Sequence, residues 1–255
     1  MARNVIKVLS EKGSRTQLLV KGTNLATMNA LRRIIMSEVP TLAIEELSIY
    51  ENNGVLFDEF IGHRLGLVPI SMDPKSYKLG DKVKMTLEAE GPCTVYSGDI
   101  KILDEGIQVL DKKIPLAKLK ADQHIRLEGE CVVGVGKDHV KYQPAIVGYR
   151  MLPLFTINEN ISPEMGEKLV KSCPVNIIEM KGKKISITEP SDCTLCGHCE
   201  EVGGAGIIQV DPDESGFVMT MEGTGALSTR QLVEEAISIM ESKAKDFADR
   251  VKDGL

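Results

Sequence analysis

Three cysteines at intervals of three, Cys193, Cys196 and Cys199, together with a remote Cys173 followed by Pro174, constrain this chain more than any other feature. In the spacing C-x2-C-x2-C-x3-C-P, the first three thiolates hold one iron–sulfur cluster and the cysteine before proline ligates another. On that pattern Cys173-Pro174 ends a first run whose other ligand positions hold Leu169, Gly166 and Pro163, so no cluster can form there. The second run keeps its three ligands but carries Gly203 where its own Cys-Pro would stand. One set of four remains. It predicts a single iron–sulfur cluster, 4Fe-4S or else 3Fe-4S, with Cys173, Cys193, Cys196 and Cys199 as the ligands of its iron.

A zinc knot and a pair of disulfides are the alternatives. Zinc sites generally use two ligand pairs, each on its own turn, whereas here three ligands follow one another and the fourth precedes a proline. No basic segment leading into an apolar stretch opens the sequence, and no segment nears the roughly 20 apolar residues of a membrane span. A cytoplasmic location without membrane contact is therefore expected, and reducing conditions there favour metal over disulfides. His198 reads as a solvent-facing spacer, and Cys93 and Cys131 as small buried residues. The net charge of −6 and the 4% aromatic content argue against a dedicated nucleic-acid surface, which needs clustered Lys and Arg and exposed rings.

The 255 residues allow one large domain or two to three small ones. Val5 to Leu9 and Leu18 to Val20 read as a hairpin turning at Gly13-Ser14. Asn24 offers a cap to a helix in which Leu25, Met28, Leu31 and Ile35 form one stripe, until Pro40 forbids continuation. Arg32 and Arg33 fall on another face. Residues 42 to 146 read as short strands, near 82–89, 95–100 and 125–135, around one helix that Asp58 would cap. Asp58, Glu59 and His63 lack a further ligand nearby, and Gly134-x-Gly136-x-x-His139 lacks the third Gly and the following helix of a dinucleotide fingerprint. A turn is the better reading. A strand over 146–157 precedes a helix announced by Ser162-Pro163-Glu164, which leads to Cys173. Lys181, Lys183 and Lys184 sit at a hairpin turn beyond it. Phe217 to Met221 resumes strand, and a Ser228/Gln231 capping box starts a last helix of about 33 Å. Its stripe runs through Leu232, Val233, Ala236, Ile237, Met240, Ala244, Phe247 and Val251. So long a stripe packs on its own domain or awaits a partner chain.

Residues 29–44, Asn-Ala-Leu-Arg-Arg-Ile-Ile-Met-Ser-Glu-Val-Pro-Thr-Leu-Ala-Ile, resemble the signature of the alpha-like subunits of cellular RNA polymerases. The blocks Asp58 to Ile70, Ser97 to Ile100, Gly136 to Pro144 and Glu222 to Leu227 resemble later blocks of that family, over nearly the whole chain. The resemblance implies an α+β fold: a discontinuous alpha-like dimerisation domain (1–41, 146–161 and 215–255), an inserted mainly-β domain (42–145) and a small ferredoxin-like iron–sulfur domain (162–214). It implies a non-catalytic assembly platform that heterodimerises with a small subunit L and docks subunits N and P and the two large catalytic subunits. Interface residues would be Leu31, Arg32, Arg33, Ile35, Leu232, Ile237, Met240 and Phe247. The cluster would brace a module too small to hold a good core. A ferredoxin-like electron-transfer protein is the competing function.

Overall fold

A computed structural model of the chain describes residues 5–158, 161–182, 184–204 and 206–254. The chain divides into two compact units, Met1–Asn29 with Gly148–Thr220, and Ala30–Val147 with Met221–Leu255. Both mix helix and strand.

Strands β1 (Val5–Lys12) and β2 (Arg15–Lys21) pair antiparallel across a turn at Gly13, whose φ of 58° glycine adopts without strain. Helix α1 (Leu25–Ser37) begins where the Asn24 side-chain oxygen accepts the Thr27 N–H at 2.8 Å. It ends ahead of Pro40, which opens strand β3 (Pro40–Asn52), since a first strand residue need not donate to the ladder. Helix α2 (Asp58–Gly66) differs from expectation at its first residue. Phe57 holds the cap position without a side-chain bond, while Asp58 is already helical and accepts from the Asn52 amide at 2.7 Å. Both first-turn carboxylates, Asp58 and Glu59, still suit the positive end of the helix dipole.

Strands β4 (Lys82–Glu90), β5 (Cys93–Tyr96), β6 (Lys101–Ile102), β7 (Pro115–Leu119) and β8 (His124–Val135) follow. The strand expected over 95–100 stops at Tyr96, because the Asp99 carboxylate takes the Tyr96 N–H at 2.8 Å and folds Ser97–Asp99 into a short 3-10 turn. Then come β9 (Ala145–Ile157), α3 (Pro163–Ser172), β10 (Ile178–Lys181), β11 (Lys184–Ile187), α4 (His198–Gly203), β12 (Ile208–Gly223) and α5 (Thr229–Gly254). Of the three lysines placed at the β10–β11 turn, Lys183 lies outside the described residues.

The first unit is built on a four-stranded sheet in the order β1-β2-β12-β9, beside the two-stranded β10-β11 hairpin. In the second, a sheet in the order β3-β8-β4-β6 and the β5-β7 pair enclose a core that includes Ile44, Met85, Leu87, Ile125 and Leu127. Ile61 and Leu65 of α2 are buried in that core. Each such side chain contributes about 2 kcal/mol by leaving water. Cys131 is fully buried there, which pushes its thiol up to about 12, while Cys93 is half-buried. Helix α5 starts with the expected reciprocal cap: the Gln231 side chain accepts the Ser228 N–H at 2.9 Å, and Ser228 Oγ accepts the Gln231 N–H at 3.3 Å. With 26 residues it runs about 39 Å, longer than its apolar stripe alone indicates.

Candidate functional site

Helix α3 carries the chain to the first cysteine of the cage. Ser162 caps it by accepting the Met165 N–H at 3.3 Å, with Pro163 in the first turn. Cys173 ends it with an extended backbone (φ −79°, ψ 113°), as a residue before proline prefers. Asn176, at φ 54°, then donates its N–H to the Cys173 carbonyl at 3.1 Å and turns the chain into β10. The β10–β11 hairpin brings the chain back, and a 3-10 turn over Pro190–Asp192 delivers Cys193.

From there the loop folds around its own sulfurs. Leu195, at φ 55°, donates its backbone N–H to Cys193 Sγ at 3.4 Å. Gly197, at φ 74°, turns the chain into α4, whose first turn holds Cys199. Glu200 fastens α4 to β12 by accepting the Val210 N–H at 2.7 Å. His198 is half exposed and lies 3.3 Å from Glu201, away from the sulfurs' cavity.

Cys173, Cys193, Cys196 and Cys199 all line one cavity, whose other walls include Phe155, Val175, Ile177 and Val210. Cys193 and Cys199 are buried, Cys173 is half-buried and Cys196 exposed, and none is in a disulfide. Burial raises the Cys193 and Cys199 thiols, and neighbouring sulfurs add to the effect. The Leu195 N–H and the Arg150 charge pull Cys193 the other way. Such thiols ionise readily only when a metal takes the proton's place. Among the described residues, no three His, Cys, Asp or Glu side chains are drawn together closely enough to hold a single metal ion. The donor set is nevertheless all sulfur in apolar surroundings, chemistry that suits an iron–sulfur cluster and also zinc.

The helix residues named from sequence fall into two groups. Leu31, Ile35 and Leu232 are buried by the chain itself. Ile237 and Met240 are half-buried, and Phe247 is 70% exposed. Arg33 is exposed; Arg32 is half-buried, with a guanidinium nitrogen 3.7 Å from Met36 Sδ. From Glu241 to Gly254 every residue of α5 is exposed, and the Asp246–Arg250 pair at 3.0 Å lies in this stretch. Lys243 of α5 also meets Glu38, just beyond α1, at 2.5 Å. Two features escaped sequence reasoning. Arg150 stands in a strand recognised only by its apolar neighbours, and the Lys243–Glu38 pair joins residues no spacing rule connects. No helix is long and apolar enough to cross a membrane among the described residues.

Residues 17–244 match the family model described as the RNA polymerase Rpb3/Rpb11 dimerisation domain. The chain is 34% identical to DNA-directed RNA polymerase subunit Rpo3 of Methanosarcina acetivorans, over 95% of this chain and 96% of that one. It is 33% identical to subunit Rpo3 of Pyrococcus furiosus, over 99% and 98%. A more distant similarity, 28% identity over 98% and 95%, links it to DNA-directed RNA polymerase II subunit rpb3 of Dictyostelium discoideum.

Proposed function

The chain belongs to the RNA polymerase Rpb3/Rpb11 dimerisation-domain family as an alpha-like, non-catalytic subunit, and from that membership we propose that it is the assembly platform of a cytoplasmic DNA-dependent RNA polymerase. It pairs with a small subunit of the L type, and the pair docks subunits N and P and the two large catalytic subunits. The carrying observation is α5: from Glu241 to Gly254 every residue is exposed, and Phe247 and Val251 hold apolar area out to solvent. An amphipathic helix left bare in this way suits a partner helix of matching length. Arg33, exposed near the start of the second unit, offers a planar guanidinium to carboxylates of a docked subunit. In this reading residues 1–41, 146–161 and 215–255 form the dimerisation domain and 42–145 an insertion.

Residues 162–214 form a ferredoxin-like module in which Cys173, Cys193, Cys196 and Cys199 hold one iron–sulfur cluster. When bound, the cluster supplies iron–thiolate bonds between the end of α3 and the 193–199 loop. The chain does the rest: Asn176, Leu195 and Gly197 adopt the positive φ values that curl backbone around the sulfurs, and Phe155 and Val210 keep water from them. An electron-transfer protein is not favoured, because the family match runs through both ends of the cysteine module, over residues 17–244.

Co-expression with an archaeal small subunit of the L type tests the platform. A 1:1 complex on size-exclusion chromatography is expected, and it should retain the large catalytic subunits on further mixing. A chain that elutes as a folded monomer beside free small subunit would overturn the proposal.

A further inference from the structure

Arg150 lies on β9, in the same unit as the cysteines. Its Nη2 donates to the Ser191 carbonyl at 2.5 Å, two residues before Cys193. Its Nε is buried and has no hydrogen-bond partner. Among the described residues no carboxylate forms an ion pair with it, and it lies close enough to Cys193 for its charge to be felt there. A guanidinium with a buried donor left over is costly unless negative charge stands nearby. The four thiols are the group that would supply that charge once ionised.

We infer that Arg150 is the counterion of the cysteine cage: hung from the Ser191 carbonyl, its guanidinium balances thiolate charge and raises the reduction potential of the bound cluster. This rests on the reading that the cage holds an iron–sulfur cluster. Arg150 would be a positioning and tuning residue rather than a ligand. Reduction by dithionite adds one electron to the cage, with no bond formed and no proton taken up. The site becomes more negative by one charge, and a neighbouring cation favours that change.

The test compares wild type, R150Q and R150K after anaerobic reconstitution with iron and sulfide, by iron analysis and by redox titration with dithionite followed by electron paramagnetic resonance. R150Q should hold as much iron as wild type but show about a tenfold lower ratio of reduced to oxidised cluster at a fixed solution potential, a shift of about 59 mV for one electron. R150K, which keeps the charge, should stay closer to wild type. Equal potentials in wild type and R150Q would overturn the inference. Iron lost from R150Q but kept by R150K supports a charge role, whereas iron lost from both assigns Arg150 to folding and overturns it. Wild type that takes up no iron would instead sink the cluster reading itself.

Discussion

A Cβ on Gly136 would stand 2.2 Å from the Met36 carbonyl oxygen, a contact no side chain can survive without backbone movement. The closeness has a cause: the neighbouring Lys137 N–H bonds the Ser37 carbonyl at 2.8 Å, pinning the end of β8 to the end of α1. Gly136→Ala should cost about 1–3 kcal/mol, read as a lower urea midpoint at unchanged slope. At Gly134 a Cβ would lie 2.6 Å from the Tyr142 ring. The Gly-x-Gly pattern thus serves packing, and the rejected dinucleotide fingerprint has a structural explanation. Tyr142 in turn donates to the Glu45 carboxylate at 2.6 Å, and Lys141 pairs with the same group. Lys141 and then Tyr142 hold Glu45 below its ordinary value of 4.5. A depressed carboxylate adds stability that is present above the ordinary value and lost as pH falls through the folded one. Glu45→Gln should therefore be less stable than wild type at pH 7, with the gap closing on acidification below about pH 4.5. A gap independent of pH would show that the charge contributes nothing.

Among the elements, α5 joins two halves of different character. Its first turns bury Leu232 and Ala236, so they belong to the core of the chain; beyond Met240 the same periodicity faces solvent. A substitution tells the two apart. Phe247→Glu removes no internal contact of consequence, and thermal unfolding of the chain should change by no more than about 0.5 kcal/mol. If Phe247 anchors a partner helix, the same change should weaken the complex with the small subunit about tenfold or more in a titration, as loss of an interface aromatic does. Unaltered affinity would remove Phe247 from the interface. The start of α5 was readable from Ser228 and Gln231, because a cap is a local hydrogen-bonding pattern; Asp58 shows the limit, since Asn52 competes for the carboxylate that would have capped α2.

At the scale of the molecule, the fully buried part of the cysteine module's core is small. Among the described residues its buried cluster comprises Leu169, Ile177, Ile178, Ile208 and the two cysteines Cys193 and Cys199. Half-buried side chains such as Phe155, Met165, Val170, Ile185 and Val210 pack against it, and a bound cluster would add its binding free energy to the folding of this small core. Cys196 permits a clean experiment because it is exposed, and serine there would remove one proposed ligand without opening a cavity. Cys196→Ser should lower iron content and expose residues 162–214 to limited proteolysis under anaerobic conditions. Protection equal to that of wild type would refute the brace.

Periodicity, caps and cysteine spacing are properties of neighbours along the chain, so the amino-acid order alone determined α1, α3 and α5, the β1–β2 and β10–β11 hairpins, and the four thiols as one candidate set. Burial is decided by segments distant in sequence. Only the tertiary structure could divide one apolar stripe into a buried Leu232 and a bare Phe247, bond Arg150 to the Ser191 carbonyl two residues before Cys193, and set the Met36 carbonyl where Gly136 alone leaves room.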